Sequence, residues 1–147
     1  MSEISGKMDQ VNEILERYSA IHDKIFKFSL RKVIPIPGLF KPVDYDLHLK
    51  ELDSLAFALE RVSISKNNSA DVINAYQQYI TALRKAIRFF RNICGRLNDK
   101  SRGNLRDYTM DKYNSDVDTY RGLMERYQLL GSALNEYIRN EKTRKDE

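Results

Sequence analysis

The sequence holds little that could staple, bend or ligate it. It has one cysteine, Cys94, in 147 residues, which excludes an intrachain disulfide and a cysteine-based zinc cluster. Its two histidines, His22 and His48, are too few for a histidine-rich metal centre. Glycine is scarce at six and proline at three, and Pro35, Pro37 and Pro42 all fall in one short stretch. The long intervals free of either breaker argue for long helices. No run approaches the roughly 18 apolar residues of a membrane span. The opening residues Met1-Ser2-Glu3-Ile4-Ser5 lack the apolar core of a signal peptide, so a cytoplasmic protein is expected. A phosphate-cradling glycine loop, a Ser–His–Asp arrangement and a cofactor fingerprint are also missing. No cofactor, no metal and no small-molecule substrate is therefore expected.

What is present is helical periodicity. The chain is 41% apolar and 31% charged, a balance that suits a helical bundle with solvated outer faces, and its length suits a single domain over residues 1–147. Ile4, Met8, Val11, Leu15, Tyr18, His22 and Ile25 alternate at steps of four and three, with Ile14, Ile21 and Phe28 widening the stripe. This predicts a first helix over about 5–32. His48, Leu52, Leu55, Leu59 and Val62 predict a second over about 44–65, capped by Asp44. The clearest stripe is Val72, Tyr76, Tyr79, Ile80, Leu83, Ile87, Phe90, Cys94 and Leu97. It predicts a third helix over about 69–98, with Ser69 as cap and Asp71 in the first turn. Met110, Tyr113, Val117, Tyr120, Met124, Tyr127, Gly131, Leu134 and Ile138 predict a fourth over about 105–140, followed by a frayed, charged tail over 139–147. The expected fold is all-α: a four-helix, up-down-up-down bundle.

Between the first two helices lies the proline-rich connector, residues 33–43, and it is apolar. Proline ends the first helix there. The connector either plugs the open end of the bundle or forms an exposed docking loop through Ile34, Ile36, Leu39 and Phe40. The longest helix would outreach the second by roughly 20 Å at 1.5 Å per residue. A second copy of the chain is one way to cover the surplus apolar surface, which makes a homo-oligomer or a protein partner the leading expectation.

Charge is unevenly spread. From Arg84 to Arg106 there are eight basic residues against one acid, Asp99, a local charge of +7 in a chain whose total is +4. Arg84, Lys85, Arg88, Arg91, Arg96, Lys100 and Arg102 are the candidate contacts for an anionic partner. Nucleic acid is the second candidate partner, since phosphates need fixed cations rather than a catalytic geometry. An anionic membrane surface ranks below it. The alternative is a solvated face, or one paired with the acids of the fourth helix, Asp111, Asp116 and Asp118.

Neither histidine sits in a recognisable metal pattern. A di-metal bundle needs Glu-x-x-His pairs, whereas here Glu51 follows His48. Arg17 and His22 have the spacing Arg-x4-His, which resembles the short motif of the HEPN ribonuclease families, themselves helical bundles. The resemblance covers these six residues. It lacks the usual polar residue straight after the arginine and lies early in the chain, where the family carries it late. It implies His22 as a base and Arg17 as a stabiliser of phosphate charge. The tyrosines at 113, 120 and 127 read as core and rim packing.

The sequence thus favours a non-catalytic interaction or assembly module. A nucleic-acid-binding regulator and a HEPN-like ribonuclease are the alternatives. If the connector docks a partner or second copy, Leu39→Asp or Phe40→Asp should abolish association seen by light scattering while leaving the helical circular-dichroism signal intact. Association that survives both substitutions removes the connector from the interface.

Overall fold

The computed structural model describes residues 3–31, 45–103 and 107–145. They form four packed helices and, among the described residues, no strand: α1 (Glu3–Arg31), α2 (Tyr45–Arg61), α3 (Ala70–Ser101) and α4 (Met110–Lys145). The connector, with Ile34, Ile36, Leu39, Phe40 and the expected cap Asp44, lies outside the described residues.

The third helix organises the others. Its stripe from Val72 to Cys94 is buried throughout, together with Ala75, Ala82, Ala86 and Ile93. The small alanines let neighbouring helices approach on either side of the large residues. Ser69 caps it as expected, its hydroxyl accepting from the Val72 amide at 3.2 Å. The helix runs through Ser101, beyond the expected end near residue 98. The reason is tertiary: Asn98, loop-like by composition, is buried and donates to the Asp46 carboxylate at 3.2 Å. The chain then turns at Gly103, whose φ of +77° is the left-handed geometry glycine adopts freely.

The antiparallel pairing of α2 and α3 can be followed residue by residue. Asp46 meets Asn98 and Arg102, Asp53 meets Arg91, and Glu60 meets Arg84. α2 ends at Arg61 rather than near 65, because Ser65 organises a turn instead. Its hydroxyl accepts from the Asn67 amide at 3.1 Å and its carbonyl from the Asn68 side chain at 2.9 Å. Glu3, at the start of α1, accepts the Ser65 amide at 3.0 Å and so fastens α1 to this turn.

α4 also runs antiparallel to α3, with Arg96 on Asp116 at 2.5 Å and Tyr79 against Gly131. Thr109 caps it, accepting from Lys112 at 3.3 Å. The helix starts at Met110, later than the expected 105, because residues 107–109 form a turn in which the Thr109 amide donates to the Asp107 carbonyl at 3.1 Å. The helix continues to Lys145, so the charged segment after Arg139 is helical rather than frayed. α1 buries Ile4, Val11, Ile14, Tyr18, Ile21 and Ile25, while Met8 and Leu15 are half-buried at its edge. Among the described residues, no Cα of α1 lies within 8 Å of a Cα of α4. The two helices meet only through large side chains. None of the four helices is long and apolar enough to cross a membrane.

Two glycines of α4 test this packing. A Cβ at Gly131 would stand 2.9 Å from Cε2 of the buried Tyr79 ring, whereas one at Gly122 meets nothing within 4 Å. Gly122→Ala should therefore stabilise the protein by about 0.5–1 kcal/mol, the usual helix gain. Gly131→Ala should lose that gain and destabilise by about 1–3 kcal/mol through overpacking. Urea unfolding of both variants checks the difference, and equal effects would contradict the close α3–α4 approach.

Candidate functional site

The basic residues of α3 do not form one open stripe. Arg84 and Arg88 both place a guanidinium nitrogen on the same oxygen of Glu60, Arg88 at 2.7 Å. Arg91 reaches Asp53 at 3.2 Å and Arg102 reaches Asp46 at 2.5 Å. These four lie along the α2 side of α3. On the other side Arg96 pairs with Asp116, and the Lys100 ammonium donates to the Tyr108 carbonyl, also at 2.5 Å. Asp116 additionally accepts the Tyr108 hydroxyl at 2.7 Å. The Arg96 guanidinium stands 5.9 Å over the Tyr108 ring. Of the seven candidates, only Lys85 makes no ion pair or hydrogen bond among the described residues. The expected pairing with α4 occurs at Asp116. The larger share falls to α2.

These α2 partners were missed although a signal was present. Asp46, Asp53 and Glu60 are spaced by seven, as are Arg84 and Arg91. Seven residues are nearly two helical turns, so each set forms a column on one face. Two such columns on antiparallel helices meet as a ladder.

Between the two paired flanks runs the exposed ridge of α3. From Val72 to Asn98 the helix has no acidic residue. Lys85 and Thr81 line two shallow grooves there. One, of about 400 Å³, also holds Arg84, Arg88, Phe89 and Asn92. The other, of about 390 Å³, holds Gln77, Gln78 and, from α4, Leu123 and Arg126. Arg126 likewise makes no ion pair among the described residues. The ridge therefore presents two uncommitted cations, plus a surplus of one where Arg84 and Arg88 share a single carboxylate.

A second constellation lies in the wide gap between α1 and α4. The Tyr120 hydroxyl meets His22 Nδ1 at 2.8 Å and also contacts the Tyr18 hydroxyl. The rings of Phe26 and Phe90 stack on Tyr120 with centroids 5.9 and 5.2 Å away. The cluster is a buried polar chain sheathed in aromatics. Burial pushes the Tyr18 and Tyr120 hydroxyls far above the ordinary tyrosine range. It also raises the neighbouring Cys94 thiol to about 12, which leaves it un-ionised and unreactive. Arg17, by contrast, is exposed and paired with Glu13 at 3.1 Å. Arg17 and His22 therefore make contacts in different places rather than facing one substrate. His48 Nδ1 is buried and 3.9 Å from Glu51, too far for a hydrogen bond. Among the described residues no three His, Cys, Asp or Glu side chains group as metal ligands.

No known protein family matches the chain, and comparison with curated proteins and with solved structures returns no match either.

His22 gives the site a pH dependence. Burial lowers its pKa below the ordinary 6.5, only partly offset by Asp23. The folded state then binds fewer protons than the unfolded chain just below that value. Stability from neutral His22 is full above about pH 6.5 and is lost as pH falls toward its lowered folded value. Melting temperatures between pH 7.5 and 5 should fall more for the wild type than for His22→Gln. Parallel curves would contradict a neutral, half-buried His22.

Proposed function

We propose that the chain is a non-catalytic, cytoplasmic helical interaction module. Its α3 ridge receives an acidic segment of a protein partner or of a second copy of itself. The observation that carries this reading is the sharing of Glu60 by Arg84 and Arg88 beside the unpaired Lys85 and Arg126. Together they leave a local positive surplus on a helix face that has no acid of its own.

An acidic protein surface suits this face better than nucleic acid does. Phosphate-backbone binding draws on several free cations at once, and five of the seven candidates are already held by carboxylates. Exposed pairs of this kind contribute only about 0–1 kcal/mol each. A partner's carboxylates can exchange into them one at a time. The asparagine, glutamine and threonine side chains along the ridge supply neutral hydrogen-bonding groups for a protein surface. A non-enzymatic role is supported by the committed contacts of Arg17 and His22 and by the low reactivity of Cys94.

Fluorescence anisotropy with labelled poly-glutamate and a labelled DNA duplex, at low and raised salt, tests the proposal, with light scattering to read the oligomer. Poly-glutamate should bind, weaken with salt, and lose at least about tenfold in affinity in the Lys85→Glu, Arg88→Glu double variant. Unchanged affinity in that variant removes α3 from the interface. Tighter binding to the duplex would transfer the face to nucleic acid.

A further inference from the structure

Beside the Glu60 cluster, where the chain turns from α2 into α3, lies a groove of about 560 Å³. It is an open groove rather than an enclosed cavity. Its base is apolar: Leu59, Tyr76 and Ile80 are buried there, and Val62, Ile64 and Ile73 form half-buried walls. The one hydroxyl in this base is already used, since Tyr76 donates to the Val62 carbonyl at 2.7 Å. Nothing along the base asks for a polar ligand.

The rim differs. Lys66 and Arg84 stand on it with Glu60 as its only acid. Lys66 is exposed and makes no ion pair among the described residues. Arg84 carries five N–H donors. Its contact with Glu60 uses one terminal nitrogen, while its Nε is buried with no hydrogen-bond partner. That buried Nε is closed to a ligand, and the remaining terminal N–H groups of the partly exposed guanidinium are the donors that a head group in the groove can reach. An apolar trough ending at under-satisfied cations complements a molecule with an aliphatic tail and a negatively charged head. A carboxylate matches the fork of a guanidinium.

We propose that this groove binds a small amphipathic carboxylate, its aliphatic chain along Leu59, Ile73 and Ile80 and its head group on Arg84 and Lys66. The site goes beyond the partner-binding reading: it shares Arg84 and Glu60 with the ridge, but its apolar base of Leu59, Ile73 and Ile80 takes no part there, so tail-dependent binding separates the two. Glu60 competes for Arg84 and holds the affinity down. Removing its charge should therefore tighten binding.

Sodium octanoate, titrated below its micelle concentration into the full-length ¹⁵N-labelled protein, tests this. Octanol and octylammonium are the controls for tail alone and for the opposite charge. Octanoate should shift the amides of Ile73, Tyr76, Ile80 and Arg84 in a saturable way, and the controls should bind at least about tenfold more weakly. Arg84→Gln should weaken octanoate by about tenfold and Glu60→Gln should tighten it several-fold. The dispersion of each variant's spectrum reports its fold independently. Octanol binding as tightly as octanoate overturns the charged head-group site. So do shifts scattered over the surface, or affinity unchanged in a folded Glu60→Gln variant. Loss of poly-glutamate binding with octanoate binding intact would remove the ridge reading and leave this one standing.

Discussion

α3 is the helix along which most of the packing runs. It lies backbone to backbone along α2 and α4, while α1 rests chiefly on α2, touches α3 at few points and, among the described residues, never brings a Cα within 8 Å of one in α4. The arrangement rests on a stripe on α3 broad enough to serve several neighbours, and the fully buried Leu83, Ile87, Phe90 and Ile93 supply its centre. Burial of such side chains is worth about 1.5–3 kcal/mol each. Loss of the α3 stripe would therefore release both α2 and α4.

The α1–α4 gap follows from that geometry. The space between α1 and α4 is filled by the large rings of Tyr18, Tyr120, Phe90 and Phe26. Tyrosines bring hydroxyls into the core, and a buried hydroxyl needs a partner. Tyr120 satisfies this by touching both Tyr18 and His22. The histidine on the apolar seam of α1 is thus explained by packing. Burial there lowers its pKa, the cause of the expected loss of stability in acid.

The flanks of α3 show how packing distributes charge. Five carboxylate-bound arginines, four on α3 and Arg102 just beyond its end, mark the register of the neighbouring helices. Lys85 and Arg126 face solvent on the ridge, and the under-satisfied Arg84 borders the apolar groove. The same Glu60 that aligns α2 with α3 sets how much positive charge is left over for anything that binds.

The sequence by itself determined the four helices and most of the faces they bury, Met110 at the exposed start of α4 being an exception. Periodicity is a local property, and it located the stripes of α1 and α3, the Ser69 cap and the class of fold. It also contained, in the seven-residue spacing of Asp46, Asp53 and Glu60, the ladder that fixes α2 on α3. Tertiary structure decided where helices stop and which charges stay free. α3 overran its loop-like residues because Asn98 found Asp46. α2 stopped early because Ser65 and Glu3 built a turn. The positive stripe of α3 became two paired flanks and a sparse ridge for the same reason: a guanidinium several ångströms long takes whichever carboxylate a neighbouring helix offers. That neighbour is known only once the helices have packed.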